Sequence, residues 1–209
     1  IDILRRSKLD ATQMGVATTV RDSALSLLSI INDILDFSRI EAGKMRIDDV
    51  PLSLRNIAEQ VMDNLATEAT DKNVSLTLYI SPSVPTCLSG DPTRIRQILF
   101  NLIGNGIKFS GGQPHRGEVQ VWIKNQPEHN NHSSISIEIR DNGIGISQDK
   151  LEAIFKPFTQ AEYSTTRRYG GSGLGLAISQ NIVSLMGGSI RAESEEGIGS
   201  TFTVSFELP

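Results

Sequence analysis

Two asparagines and a lysine lie at helical spacing near the middle of the chain. Asn101, Asn105 and Lys108 are four and three residues apart, which places them within roughly 60° of one another around a helix axis. Two carboxamide oxygens and an ammonium on one face suit a hydrated Mg²⁺ and the phosphates that it bridges, because Mg²⁺ takes few protein oxygens. An ordinary solvated helix face would carry the same residues.

A second group of polar and glycine residues follows a predicted strand. Asp141 stands at the strand end, where its carboxylate can accept a hydrogen bond from an exocyclic amine, the group that separates adenine from guanine. Gly143 and Gly145 permit a positive φ and close approach of the backbone. A tight turn with an Asx motif explains this group equally well. Further on, Thr201 follows Gly197-Ile-Gly199 and can offer a hydroxyl near a base, or the glycines simply turn a hairpin.

A glycine-rich segment immediately precedes a predicted helix. In Gly170-Gly-Ser-Gly-Leu-Gly175 the N–H groups and the helix dipole can meet phosphate. The spacing fits neither the dinucleotide fingerprint nor the P-loop, since no Lys-Ser pair follows. Arg167 and Arg168 lie just upstream on a stretch with little apolar content. We expect that stretch to be mobile and to become ordered on phosphate.

The elements that must position these groups alternate between helix and strand. Asp91-Pro92 predicts an N-cap and a first helical position, and Asp10 with Gln13 predicts a capping box for an earlier helix. The predicted strands are 45–49, 74–80, 118–124, 135–140, 189–194 and 201–208, and the predicted helices of the globular part begin at Pro51, Pro92, Gln148 and Leu174. This order predicts an α+β domain with helices on one face of a mixed sheet.

The first predicted helix has a broad apolar stripe. Its spacing of three and four residues continues to about Ile40, and Gly43 is the expected C-terminal cap. The stripe residues are Val20, Ala24, Leu27, Ile31 and Ile34, with a second row at Leu28, Ile30 and Leu35. We expect residues 11–43 to form a homodimeric helical bundle. Packing of the stripe against the chain's own globular domain is the alternative.

Composition limits the function classes. The 209 residues carry a net charge of −4 with scattered basic residues, so we expect no nucleic-acid partner. Cys87 is the single cysteine, which excludes an internal disulfide and fits a reducing, cytoplasmic compartment. We expect no membrane contact, because no apolar run reaches the ~18 residues of a span. The chain opens within a helical pattern and without Met, which suggests a piece of a longer protein with an anchor possible elsewhere.

Taken together, the motifs resemble those of sensor histidine kinases of the hybrid type, over nearly the whole length. Asn101–Ser110 resembles the N box of that family, and Asp141–Gly145 its first glycine box. Phe155–Phe158 resembles the F box, and Gly171–Gly175 and Gly197–Gly199 resemble the second and third glycine boxes. In addition, Ile31–Lys44 is similar to the end of the dimerisation helix in such kinases.

The resemblance implies a fold, a site and partners. The fold is a Bergerat ATP-binding fold, a two-layer α/β sandwich over 45–209, preceded at 1–44 by part of a dimerisation and phosphotransfer hairpin. The cofactors are ATP and Mg²⁺, with Asn105 as principal metal ligand and Asn101 assisting, and a receiver domain is the further partner. The remaining implied nucleotide-binding residues are Lys108 at the phosphates, Asp141 at the adenine amine, Arg167 and Arg168 on the lid, and Gly143, Gly145, Gly171, Gly173, Leu174, Gly175 and Thr201 around the nucleotide.

Two departures from the family pattern bear on activity. Gly106 stands where the N box usually has Ala, which costs ~1 kcal/mol in a helix interior. The phosphate-accepting histidine in its Ser-His-Glu-x-Arg-Thr-Pro setting is absent, and His115, His129 and His132 lie in predicted loops. We therefore expect the chain to bind ATP without phosphorylating itself. The alternatives are a degenerate module that regulates a partner kinase by binding, and another ATPase of this fold, such as a chaperone or topoisomerase.

Overall fold

The computed structural model describes residues 9–127, 133–159 and 172–208. The chain divides into two compact units, the first ending at Met45 and the second beginning at Arg46. The first unit is dominated by one helix, and the second contains every strand of the described residues.

Helix α1 (Ala11–Glu41) has both of the ends that the sequence predicts. At its start Asp10 Oδ1 accepts the Gln13 N–H at 2.8 Å, and Gln13 Oε1 accepts the Asp10 N–H at 3.1 Å. At its end Gly43 adopts a φ of 63°, and its N–H reaches the Ile40 carbonyl at 2.9 Å. The capping box and the glycine end are thus confirmed.

The apolar stripe of α1 is exposed, and no residue of this helix is buried. By length and composition alone α1 also passes as a membrane span, with an 18-residue window of mean hydropathy 1.2. The expectation that no segment reaches this limit was therefore wrong. However, the helix carries charges at Arg21, Asp22, Asp33 and Asp36, which are costly inside a bilayer.

The second unit is a two-layer α+β domain. Its elements in chain order are β1 (Val50–Leu52), α2 (Leu54–Asp71), β2 (Val74–Ile80), β3 (Leu88–Gly90), α3 (Pro92–Ser110), β4 (Gly117–Pro127), β5 (Ser133–Asp141), the 3₁₀ turns Gln148–Lys150 and Ala153–Phe155, α4 (Gly175–Leu185), β6 (Ser189–Glu195) and β7 (Gly199–Leu208). Five strands form a sheet in the order β2-β4-β5-β7-β6, parallel between β2 and β4 and antiparallel elsewhere. The predicted mixed sheet packed against helices is confirmed.

The start of this unit differs from the prediction. Residues 45–49 do not form a strand; β1 begins at Val50 and pairs with β3, a short strand that the sequence pattern did not indicate. Pro51 lies within β1 rather than opening a helix. The helix begins after Ser53, whose hydroxyl accepts the Asn56 N–H at 3.3 Å. A serine N-cap one turn later provides the stronger start signal.

Helix α3 is fixed by its buried N-cap and by its apolar face. Asp91 is only 3% exposed, and its carboxylate accepts the N–H groups of Thr93 at 2.9 Å and Arg94 at 3.0 Å. Its other oxygen accepts the Asp48 N–H at 3.1 Å. The predicted inward residues of α3 are all buried, namely Ile95, Leu99, Leu102 and Ile103. This face places the N-box helix directly on the sheet.

Gly106 lies on the sheet side of α3, where the family pattern has Ala. A Cβ added at Gly106 would lie 3.1 and 3.3 Å from the two γ-methyl carbons of Val119 on β4, and 3.6 Å from the Asp141 Cβ. Val119 is fully buried. An alanine side chain would therefore press on these methyl groups, which would have to move by a few tenths of an ångström, and the glycine avoids this contact.

We expect Gly106 and Val119 to be energetically coupled. Val119→Ala alone should lower the free energy of unfolding by about 2 kcal/mol, because it opens a cavity. In the Gly106→Ala background the same change should cost about 1 kcal/mol less, because the new methyl fills that cavity. Urea unfolding of the four proteins of this cycle measures the coupling. Equal costs of Val119→Ala in both backgrounds would show that the two residues do not share this space.

Candidate functional site

Helix α3 and helix α4 are joined by a short chain of side-chain hydrogen bonds. Asn105 Nδ2 donates to Asn101 Oδ1 at 3.3 Å, and Asn101 Nδ2 donates to Ser179 Oγ at 2.8 Å. Both asparagines are partly exposed, whereas Ser179 is 1% exposed on α4. Neither bond involves Asn105 Oδ1, so this carboxamide oxygen can bind another partner.

Lys108 follows one turn further along α3. Burial lowers the pKa of its ammonium, and repulsion from Lys72 lowers it further. Its Nζ lies 4.8 Å from the centre of the Phe109 ring, within cation–π range. A phosphate near this ammonium would offset both effects on the pKa.

Asp141 ends β5 as a buried carboxylate, with 8% of its surface exposed. Burial raises its pKa from 3.8 to about 6, while hydrogen bonds from the backbone N–H groups of Gly143 and Ser200 act in the opposite direction. The Gly143 N–H lies 2.9 Å from Asp141 Oδ1. An amine donor that bound this carboxylate would replace part of the lost hydration and favour the ionised form.

The glycines beside Asp141 contact the protein's own backbone. A Cβ at Gly143 would lie 2.6 Å from the Phe109 carbonyl oxygen at the end of α3. Cβ atoms at Gly145 and Gly199 would overlap the carbonyl oxygens of Glu195 and Asp141 respectively. At these three positions, glycine is needed for close packing of the turn between α3, β6 and β7. The tight turn that the sequence allowed is therefore formed, with its close approaches made to other backbone atoms.

Asn142 ties the same turn to the start of β4. Its Oδ1 accepts the Glu118 N–H at 2.7 Å, and its Nδ2 donates to the Arg116 carbonyl at 3.1 Å. His115 Nε2 lies 3.1 Å from the Asn142 carbonyl oxygen. His115 is exposed, as predicted for a loop residue, but it contacts the Asp141 turn. His129 and His132 lie outside the described residues.

The glycine-rich segment leads into α4. Leu174 is buried and is the N-cap residue of α4; among the described residues no side chain caps the first turn, which contains no acidic residue. Gly173 has a φ of 68°, and its carbonyl accepts the Phe158 N–H at 3.1 Å. An uncapped helix start has N–H groups available for an anion. Arg167, Arg168 and Gly171 lie outside the described residues.

Strand register decides which side chain of β7 lies beside Asp141. Thr201 pairs with Arg140 on the face of β7 opposite to Asp141, whereas Ser200 pairs with Asp141 and is 6% exposed. The structure thus brings Ser200, not Thr201, to the carboxylate, because alternate residues of a strand face opposite sides. In the segment that resembles the F box, the Phe158 side chain is 67% exposed, whereas Ile154 in the preceding 3₁₀ turn is buried.

The oxygen donors of this region suit a metal only together with phosphate. Within the described ranges, no three His, Cys, Asp or Glu side chains lie close enough to hold a metal. A neutral carboxamide oxygen at Asn105 is a weak ligand by itself. It fits Mg²⁺ that brings phosphate and water oxygens as its other ligands.

The family model "Histidine kinase-, DNA gyrase B-, and HSP90-like ATPase" matches residues 90–209, and the chain belongs to this family. Its ATPase domain is of the histidine kinase type, and nucleotide binding follows from the family. The match contains α3, the Asp141 turn and α4.

Curated relatives and solved structures agree with this assignment. The chain is 41% identical over 207 residues to the sensor protein GacS of Pseudomonas syringae pv. syringae, and 42% identical over 203 residues to the signal transduction histidine-protein kinase BarA of Escherichia coli K12. These alignments cover 99% and 97% of the chain but 22% of each relative. Among solved structures, full-length ShkA in complex with AMPPNP aligns with a TM-score of 0.77 and 29% identity, covering 98% of this chain and 41% of ShkA.

We expect Asp141 to make the chain less stable as the pH rises. In the folded state the Asp141 carboxyl keeps its proton up to about pH 6, whereas in the unfolded state it releases the proton near pH 3.8. The stabilising contribution is therefore complete at low pH and is lost as the pH rises through about 6. Asp141→Asn should gain about 1 kcal/mol of stability relative to the unmodified chain between pH 5 and 7.5.

Urea unfolding at several pH values measures this difference. Asp149→Asn is the matched control, because it removes an exposed carboxyl from the 3₁₀ turn 148–150. A stability difference for Asp141→Asn that stays constant with pH would contradict the raised pKa.

Proposed function

We propose that this chain is the ATP-binding catalytic module of a two-component sensor histidine kinase. In the intact protein the γ-phosphoryl group of ATP would pass to a histidine and then to an aspartate of a receiver domain. The observation that carries the proposal is that Asp141 packs beside Gly106, the residue of α3 that follows Asn105: a Cβ at Gly106 would lie 3.6 Å from the Asp141 Cβ. The chain spans 22% of the GacS and BarA relatives, so the activity of the whole protein is part of the proposal.

We assign the adenine end to Asp141. The ionised carboxylate would accept a hydrogen bond from the adenine exocyclic amine, and this bond would counteract the rise in pKa that burial causes. Hydrogen bonds from the backbone hold the carboxylate in a fixed orientation. We place Ser200 beside it, on the evidence of its pairing with Asp141. Thr201 faces away, and we assign it no contact with the base.

We assign the phosphate end to α3 and α4. Asn105 Oδ1 would be the principal ligand of Mg²⁺, and the Lys108 ammonium would lie by the phosphates. The first turn of α4, which begins at Gly175 after Gly173 and Leu174, would add backbone N–H donors. When bound, Mg²⁺ would neutralise phosphate charge, which is the main requirement of phosphoryl transfer. Arg167, Arg168 and Gly171 complete the site as predictions from the sequence.

Binding of ADP with and without Mg²⁺ tests this proposal. Asn105→Ala should weaken binding of Mg·ADP at least tenfold, because it removes the metal ligand, while binding in EDTA changes by no more than about threefold. Calorimetry measures both affinities. Asn64→Ala, on the exposed side of α2, is the control.

The same titration separates the alternatives. Absence of binding heat at millimolar Mg·ADP would favour the regulatory module, and equal affinity of Asn105→Ala and the unmodified chain would contradict the metal assignment. The sequence feature that suggested a degenerate site was Gly106. Its packing against Val119 offers a structural reason for that glycine. Steady hydrolysis of ATP by the chain would indicate an ATPase of the chaperone or topoisomerase kind.

We further propose that residues 11–43 mediate a homodimer, with a receiver domain as the other partner and ATP supplied on the cytoplasmic side. The stripe on α1 leaves Leu27, Ile31 and Ile34 between 43% and 58% exposed. An isolated helix with such a stripe lacks a partner for its apolar surface. We assign the acceptor role to none of this chain's histidines.

Ile31→Glu should shift the chain from dimer to monomer, because a charge in the stripe must be desolvated on association. Sedimentation equilibrium measures the change, which we expect to be at least tenfold in the dissociation constant. Ser29→Glu, about 200° around the helix from Leu27, is the control. A purely monomeric unmodified chain, or equal effects of the two variants, would contradict the assignment.

A further inference from the structure

We propose that Asn101 is a positioning residue and not a metal ligand, and that Ser179 holds it in the orientation that directs Asn105 Oδ1 toward the metal. This inference rests on the proposed function. It assigns a role to Ser179, which lies outside every motif recognised in the sequence, and it changes the role predicted for Asn101.

The first argument is the use of polar atoms. Both ends of the Asn101 carboxamide have partners within the protein, since Oδ1 accepts from Asn105 and Nδ2 donates to Ser179. A carboxamide oxygen that accepts an N–H bond can still bind a metal, but it would have to share its lone pairs. Asn105 Oδ1 is not used in this chain of bonds, so it is the better ligand of the two.

The second argument is the orientation of the Asn101 amide, which decides the orientation of the next one. A Cβ added at Gly175 would overlap Asn101 Oδ1, and this oxygen is nearer to that position than Nδ2 at 3.2 Å. The Cα hydrogen of Gly175 therefore points at the oxygen end of the amide. A C–H group favours an oxygen over an NH₂ group at such a contact.

The third argument is the position of Ser179 itself. It is 1% exposed on α4, among the buried residues Ala177, Ile178 and Ile182. A buried hydroxyl needs a hydrogen-bond partner, and Asn101 Nδ2 at 2.8 Å provides one. Gly175 and Ser179 are one helical turn apart, so α4 holds both ends of the Asn101 amide. Such a contact behind a ligand typically fixes the ligand's orientation.

Calorimetry with ADP tests the role of Ser179, in EDTA and in excess Mg²⁺. In the unmodified chain we expect Mg²⁺ to strengthen ADP binding. In Ser179→Ala the enhancement of ADP affinity by Mg²⁺ should be about tenfold smaller than in the unmodified chain. Its ADP affinity in EDTA should stay within about twofold of that of the unmodified chain. Ser184→Ala, an exposed serine on the same helix, is the matched control and should behave as the unmodified chain.

Two further measurements separate positioning from mere packing. The side-chain NH₂ resonances of Asn101 and Asn105 should both shift in nucleotide-free Ser179→Ala, because the chain of bonds is broken at its first link. In a double-mutant cycle Ser179→Ala should have no further effect on the Mg²⁺ enhancement once Asn101→Ala is present. If Ser179→Ala does not fold, Ser179→Cys keeps the volume with a weak hydrogen-bonding group and should give the same loss.

The outcomes distinguish this inference from the proposed function. Loss of Mg²⁺ enhancement at unchanged EDTA affinity supports the positioning role. A Ser179→Ala protein with full enhancement overturns it and leaves nucleotide binding intact. Equal loss in EDTA and Mg²⁺ also overturns it, because that result indicates a general packing effect. Failure of the unmodified chain to bind ADP overturns the proposed function, and this inference with it.

Discussion

The close approach of α3 to the sheet is the constraint on which the rest of the site depends. Gly106 brings the helix against Val119 and the Asp141 strand, and a Cβ at Gly143 would lie 2.6 Å from the last-turn carbonyl of Phe109. A helix held further out would separate the polar face of α3 from the buried carboxylate. Since interiors pack as closely as organic crystals, a change of one methyl group here must move a neighbour.

This constraint also accounts for the unfavourable electrostatics of the site. The same packing that fixes the Asp141 turn removes water from its carboxylate and raises its pKa to about 6. On α3, burial lowers the pKa of the Lys108 ammonium. Both groups are held where their charged forms are less favoured than in water. Perturbed groups of opposite charge on one helix–sheet junction are typical of a binding site, because a ligand with an amine and phosphates relieves both.

The sequence was sufficient for the elements but not for the contacts between them. Capping residues predicted the starts of α1 and α3, and period-two alternation predicted β2 with both ends. The predicted strand at 45–49 was wrong, because pairing with β3 selects residues 50–52. That pairing joins segments almost 40 residues apart, and no local pattern encodes it. The side on which Thr201 lies could not be predicted for a similar reason: strand register, which depends on pairing across β5, decides the side.

Ser179 illustrates how a site residue escapes motif analysis. A serine among apolar neighbours on α4 carries a signal, since a buried hydroxyl must find a partner. Its sequence position, however, does not say which partner, and Asn101 is 78 residues away.

The glycines are the converse case. Their spacing allowed either a close approach to a ligand or a tight turn, and at Gly143 and Gly145 an added Cβ would meet the protein's own backbone. The glycine pattern in this fold therefore specifies how the turn packs. Recognition of a nucleotide would then depend on the few polar groups that the packed turn holds in a fixed orientation.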